Sequence, residues 1–440
     1  MKDKRYTCSV CDNLFEEQYF DKEQNKCILH CEKTDKNDWY SINASNEKEW
    51  TSKIKTFWSY IQLELNNIYE YSFYDVNGDS DYTYTKVIFP KFETEYEYDF
   101  YNEDDMGTNF FSFKVFEHPN EQPMPEVNQI FNKLNITFEN CIFLDVANFG
   151  KYDRTHPISF EQCQFKKTVL LSKTQKSEVS FYECDFSNQD LCFSESNFEN
   201  MFIMKDCQNI NLLDISYATF NSFANFMNST FNKTNFTATE FFDTVVFINV
   251  TFQDHVSFNY TTFAKLVLFR DSKFKKTLDL RDSIFRDEAT FLGVEVNPAN
   301  RETARQIKSS FEQQKNLIES NKYYALELRE KRKELSFFKN PFEWIIFKIH
   351  WVSSNHSQSY ISGLVWILVI GILGIKDNAY DSIVSLMDGD KKLDSIAMSL
   401  HSLLKFSSEN ISMYHLVLKA ILAYLIYQFI VSVRQNTKRK

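Results

Sequence analysis

The chain has 440 residues, a formal net charge of -11, 44 Phe, and only 8 Gly and 7 Pro. That length exceeds what one core usually holds, and a composition so rich in aromatics and so poor in Gly and Pro excludes a disordered chain. The acidic balance excludes general binding to nucleic acid, which needs a basic face against the phosphates.

The start, MKDKRYTCSVCDNLF, is basic but has no apolar stretch behind it, so it does not read as a secretory signal. The nine cysteines include a CxxC and form no evenly spaced framework, which suits a reducing compartment. Cys8-x2-Cys11, fifteen residues, then Cys27-x2-His30-Cys31 has the spacing of a closed tetrahedral zinc site. Four ligands suffice: Cys8, Cys11, Cys27 and either Cys31 or His30, stapling Phe15, Tyr19 and Phe20 into a knuckle over residues 1–34. A closed structural site leaves no open position for chemistry. Unliganded buried cysteines and a redox CxxC are the competing readings.

Residues 35–134 read as an acidic α+β head. Between Asp35 and Ile130 stand 19 Asp and Glu against 7 Lys. Trp50, Ile54, Phe57, Trp58, Ile61 and Leu65 recur at helical spacing and predict a helix near 47–69. Val87 to Phe89 and Phe110 to Phe116 read as short strands. Asp75 to Asp81 superficially resembles a calcium loop, but Ser80 and Lys86 stand where Gly and Glu are needed, so a solvated turn is expected.

From 135 to 296 phenylalanine returns every five or six residues. Phe247, Phe258, Phe269, Leu280 and Phe291 keep an interval of eleven, and Phe252, Phe263, Phe274 and Phe285 keep the same interval offset by five. Fixed-period similarity of this kind predicts a stack of small units. Two residues before the anchoring aromatics stand small residues, including Cys141, Cys163, Cys184, Ala218, Ser229, Thr261 and Ser283. Phe138-x-x-Cys141-x-Phe143, Phe160-x-x-Cys163-x-Phe165 and Phe181-x-x-Cys184-x-Phe186 recur 22 and then 21 residues apart. Residues 172–180 and 204–214 break the pattern and read as loops or distorted corners.

A large residue with a small one two before it, repeated by fives, resembles the pentapeptide-repeat family. The resemblance implies a mainly β fold, a right-handed quadrilateral β-solenoid, with Phe143, Phe165, Phe186, Phe252, Phe258, Phe263, Phe274 and Phe285 in its core. Some members of that family shield a topoisomerase as acidic mimics of DNA, although those are short soluble dimers.

Residues 297–340 read as a helical cap and linker. Asn300 can cap a helix continuing to about Leu335, with Ala304, Phe311, Ile318 and Ala325 on one face. Arg329 to Lys333 is a basic run just ahead of apolar sequence. The stretches ANRETARQIKSSFEQQKNLIESNKYYALELREK and FKIHWVSSNHSQ resemble the tail of a bacterial subfamily that joins pentapeptide repeats to a membrane segment.

Residues 341–440 then form a membrane domain. Phe342 to Trp351 mixes aromatics with Lys and Glu like an interfacial helix. Ile361–Ile375 and Met413–Val433 are the expected transmembrane helices, with positive charge before the first and after the second. A re-entrant helix between them, over Asp394–Ser408, would resemble a two-span channel module. Lys405, Ser407 and Ser408 stand where a filter would be, without the glycines that a carbonyl ladder needs. Lys419 and Gln428 lie inside the second span.

The chain is therefore expected to be no enzyme, and to sit in a bacterial inner membrane with two spans and both termini in the cytoplasm. Its partners would be the lipid bilayer and an unidentified protein, with no direct nucleic acid. An oligomeric pore gated by the solenoid, which would make it a homo-oligomer, and an acidic topoisomerase-binding mimic are the alternatives to a tethered scaffold.

Overall fold

The computed structural model describes residues 4–37, 39–42, 48–50, 52–72, 81–92, 98–100, 111–113, 134–149, 154–373, 400–401, 404 and 413–437. It divides into two units, Met1–Asn297 and Pro298–Lys440.

In the first unit short parallel strands stack into a β-solenoid of about seven turns. Three long ladders of nine, ten and six strands run along it. Phe138 pairs with Phe160, and Phe160 with Phe181, so the recurrence of 22 and then 21 residues is the length of one coil. The interval of eleven is half of that. Phe247, Phe269 and Phe291 stack ring over ring at 5.1 and 5.0 Å, whereas Phe258, midway between two of them, stacks on Phe236 at 4.4 Å. Phe252 and Phe274 (4.8 Å) form a third column, and Phe263 and Phe285 (4.9 Å) a fourth.

The expected core residues Phe143, Phe165 and Phe186 stack at 4.8 and 5.0 Å and are fully buried, as are Phe252, Phe258, Phe263 and Phe274 to within a few per cent. Phe285 is a correction. It ends the six-stranded ladder, so its outer ring face has no coil above it and it is only partly buried.

The corners explain why so few glycines suffice. Asn140, Gln162, Glu183, Asp206, Asn228, Asn249, Asp271 and Gly293 all have φ between +52° and +73° and recur once per coil. Glu195, Tyr217, Ala238, Tyr260 and Asp282 form a second such column with φ of +55° to +60°. Asn and Asp tolerate this left-handed conformation; only at Gly293 would a Cβ also collide with the Asp271 carboxylate.

Each corner residue is followed by one of the small residues, whose role is more than size. Its thiol or hydroxyl donates to a carbonyl of the preceding coil: Cys163 to Phe138 O (3.1 Å), Cys184 to Phe160 O (3.3 Å), Ser229 to Met204 O (2.8 Å), Thr261 to Phe236 O (2.6 Å) and Ser283 to Phe258 O (2.9 Å). Cys207 continues the cysteine column with a longer bond to Phe181 O (3.5 Å). Burial holds the thiols of Cys141 and Cys184 well above the usual range, which keeps them donors.

Two expectations change. Residues 204–214 are not a loop: Phe202–Lys205 and Gln208–Asp214 are strands of the long ladders. The irregularity lies at Asp185 to Asp190, where the register shifts and Ser187 and Asn188 take positive φ. Residues 172–180 likewise include strand Thr174–Gln175 and the start of Val179–Tyr182.

The solenoid also begins earlier than residue 135. Asp81–Thr85 pairs in parallel with Asn135–Glu139, and Ile88–Phe89 with Ile142–Phe143, so the head supplies a first coil. Tyr84 lies under Phe138 (5.7 Å) and Phe89 under Phe143 (4.8 Å). Helix α1, Ser52–Ser72, packs Phe57 and Trp58 on Phe89 at 5.8 and 6.2 Å. Residues 73–80 of the calcium-like loop lie outside the described residues.

In the second unit the expected cap helix is two helices, α2 (Arg301–Gln313) and α3 (Leu317–Glu334). Asn300 caps α2 through Thr303 N, as its sequence position suggests. Lys315 then turns left-handed (φ +59°) and Asn316 caps α3, which folds the pair into a hairpin. Ala304, Ile307 and Phe311 are buried, with Phe311 stacked on Tyr323 at 5.5 Å, whereas Ile318 is 48% exposed, because the break takes it off the shared face. Glu327 joins the hairpin by accepting from Lys308 (2.9 Å) and Arg305 (3.3 Å).

Helix α4 (Pro341–Ser354) covers the expected interfacial segment and has Pro at its first turn, where no backbone donor is needed. Helix α5, Tyr360–Leu373, has 14 residues, about 21 Å of rise. Helix α6, Met413–Thr437, has 25. Among the described residues only α6 is long and apolar enough to cross a membrane. Ile370 of α5 packs with Leu418, Leu422 and Leu425 of α6.

Candidate metal centre

The first cysteine pair sits on the turn of a hairpin formed by Arg5–Thr7 and Leu14–Glu16, and the second group follows the hairpin Phe20–Asp21 with Lys26–Cys27. This double hairpin brings Cys8, Cys11, Cys27 and His30 together, with all four donor atoms within 4.8 Å of one another. His30 Nδ1 lies 3.1 Å from Cys27 Sγ and 3.7 Å from Cys8 Sγ. With metal bonds of about 2.3 Å to sulfur and about 2.0 Å to nitrogen, a tetrahedral ion would hold its donors at roughly such separations. No disulfide competes for these sulfurs.

Sequence spacing left His30 and Cys31 equivalent. The structure separates them. His30 Nε2 donates to Thr85 O at 3.1 Å, which leaves Nδ1 bare and facing the cysteines. Cys31 instead turns its thiol toward Ile28 O (3.7 Å) and lies outside the cluster, and burial raises its pKa.

Burial opposes ionisation of Cys8, but amide N–H groups of Cys27 (3.2 Å) and Val10 (3.5 Å) point at its sulfur and bring its pKa down to about 6. Cys27, by contrast, is pushed up by burial and by the charge on Cys8. One thiolate prepared by backbone donors and a second that only a cation would make favourable is what a divalent metal requires.

Below the cluster, Lys33 is buried, donates to Leu29 O and Cys31 O at 3.3 Å each, and lies over the rings of Trp39 and Phe57 at 4.8 and 4.9 Å. Burial lowers its pKa to about 8. Nothing in the spacing of the sequence pointed to this lysine.

The membrane-domain residues singled out by sequence fare unevenly. Lys405, Ser407 and Ser408 lie outside the described residues. Lys419 is half-buried on α6. Gln428 is buried, and its amide oxygen accepts from both Ser354 and Ser357 at 3.1 Å. It therefore fastens α6 to the turn after α4. That turn was missed: Asn355, His356 and Ser357 all have positive φ, and His356 Nδ1 stands 3.2 Å from His350 Nδ1. Burial, then the neighbouring His350 and Arg332, lowers the pKa of His356 to about 4. The signal available was the polar run SSNHSQ between two apolar helices.

No protein-family model, curated protein or solved structure matches this chain.

Proposed function

We propose that this chain is a membrane-tethered pentapeptide-repeat scaffold: a right-handed, four-sided rod held at the cytosolic side of a bacterial inner membrane by two helices, with a structural zinc at its N-terminal end, binding a protein partner. One observation carries the reading. The same chain joins a rod whose interior is filled by stacked rings to a helical unit with apolar residues on its outside, among them Ile361 and Val365 on α5 and Leu416, Val417, Tyr427 and Ile430 on α6. In water such a surface is a liability; in lipid it is the required one. The four columns of rings, each coil 21 to 22 residues long, support the four-sided form.

A rod of this kind binds by presenting fixed polar rows. Asn211 Nδ2 donates to Asp190 (2.7 Å) and Asn232 Nδ2 to Asn211 (3.0 Å), while Asn249 reaches Asn228 (3.1 Å) and Asn228 reaches Asp206 (2.8 Å). Side chains already held in register lose little entropy on contact with a partner.

The test is to express the full chain in a bacterium and follow it through carbonate extraction of membranes and protease treatment from either side. Resistance to extraction, with the rod cleaved only when protease is inside, supports the tether. Complete recovery in the soluble fraction overturns it. A discrete oligomer in detergent that passes ions in vesicles would favour the pore instead.

A further inference from the structure

Helices α4, α5 and α6 enclose a cleft of about 690 Å³, lined by Ile346, Ile349, Val352, Trp366, Ile421 and Leu425, with Lys348 at its rim. The cleft has the size of a ligand site, roughly 300 to 1,000 Å³, and has space for on the order of twenty groups the size of a water molecule or methylene. Its walls are fixed by polar bonds outside the apolar lining. Trp366 Nε1 donates to Val352 O (3.0 Å) and Ser362 Oγ to the same oxygen (3.2 Å), which pins α5 to α4.

What borders the cleft is cationic. Lys348 Nζ stands over the rings of Trp344 (5.2 Å) and Trp351 (5.6 Å), and Arg332 of α3 lies over Trp351 at 4.1 Å. Lys331 lies over Phe347 at 4.8 Å and pairs with Glu343 at 2.6 Å. Three cations thus meet one carboxylate on this face. Arg332 also has a buried guanidinium nitrogen, Nη1, with no hydrogen-bond acceptor in the protein. A buried donor on a permanent cation calls for an anion.

We infer that this cleft is a binding site for one anionic phospholipid, its acyl chain between α4, α5 and α6 and its phosphate held by Lys348 and Arg332. The two requirements are met by adjacent residues: an apolar slot for a hydrocarbon chain, and at its rim an ammonium and a guanidinium anchored on Trp351, an arrangement suited to the headgroup level of a bilayer. A neutral lipid would fill the slot and leave the Arg332 donor unmatched. The inference rests on the membrane reading above.

The experiment uses the full chain reconstituted in dioleoyl phosphatidylcholine vesicles doped with dibrominated phosphatidylglycerol or dibrominated phosphatidylcholine. Bromine on the chain quenches a nearby indole, and the signal of Trp366 is isolated by difference with Trp366→Phe. The expected result is several-fold stronger quenching of Trp366 by the anionic lipid at equal dose. Lys348→Gln combined with Arg332→Gln should abolish the preference, and Ala420→Phe, which fills the cleft wall, should reduce quenching by both lipids. Because Ala420→Phe could disturb packing, the rim variants, checked for an unchanged melting transition, decide the matter alone. Equal quenching by the two lipids in an inserted protein overturns the site. So does a preference that survives the rim variants, or a dimer whose second copy excludes lipid from Trp366. A protein that fails to enter vesicles at all refutes the membrane reading instead.

Discussion

His30 Nε2 donates to the carbonyl oxygen of Thr85 at 3.1 Å, and beside it Ile88 N donates to Leu29 O at 2.9 Å. The cysteine hairpins are thereby bonded to the first coil of the solenoid, whose edge would otherwise be open to pairing with another chain. Metal held by Cys8, Cys11, Cys27 and His30 therefore stabilises a cover over that edge.

Removal of metal should then loosen the hairpins and expose Asp81–Phe89 while leaving later coils folded. Chelation of the full protein should increase amide exchange over residues 5–31 and 81–89 and promote self-association. His30→Ala and Cys11→Ser should each lose the bound metal, whereas Cys31→Ser should retain it, as metal analysis of the purified variants will show. Metal loss from the Cys31 variant equal to that from Cys11→Ser would refute the assignment of ligands.

A second prediction concerns the small residues. Ser229 Oγ donates to Met204 O (2.8 Å) and also accepts from Cys207 N (3.0 Å), so it serves two coils at once. Ser229→Ala leaves a buried donor and a buried acceptor unpaired and should cost about 1–3 kcal/mol. Ser229→Cys keeps the donor and should cost less. Denaturant melts of the two variants provide the comparison; equal stability of wild type and Ser229→Ala would mean that size alone selects the residue.

The solenoid was legible because its pattern is local and repeated. Every five or six residues a large side chain must point inward, so period and coil length are written directly in the positions of Phe138, Phe160 and Phe181. The parts that escaped were those where a non-local partner decides. Tyr84 and Phe89 carry no repeat signal, yet they form a coil because Phe138 and Phe143 stack on them. Ile318 fits a heptad but is exposed, because Lys315 and Asn316 reverse the chain first. His30 and Cys31 are adjacent, and only Thr85, 55 residues away, distinguishes them.

Backbone conformation supplies a third prediction. At Gly293 (φ +73°) an alanine would meet both the left-handed penalty and the Asp271 carboxylate, and Gly293→Ala should destabilise the last coil by about 1–2 kcal/mol or more. Tyr217 and Tyr260 occupy equivalent left-handed corners (φ +57° and +60°) with their side chains mostly exposed. Replacing either by Asn should be neutral or stabilising by a few tenths of a kcal/mol, since the ring makes little of the core. A large loss of stability at Tyr217→Asn would show that the ring is needed by the fold.

The last prediction is a pH dependence at Glu64 on α1. Burial raises its pKa from 4.5 to about 7, opposed by hydrogen bonds from Tyr60 and Tyr82. Tyr60 Oη lies 3.4 Å from Oε1, and Oε2 is buried with no partner. A carboxyl whose folded pKa lies above its unfolded value costs nothing below pH 4.5, where both states are protonated. The cost grows as the pH rises from 4.5 to 7, where only the unfolded state ionises freely, and is constant above. Glu64→Gln should therefore raise stability by roughly 1–3 kcal/mol at pH 8 and change it little at pH 4.5. Melting curves at the two pH values test this, and a benefit of equal size at both would show that packing, not charge, is responsible.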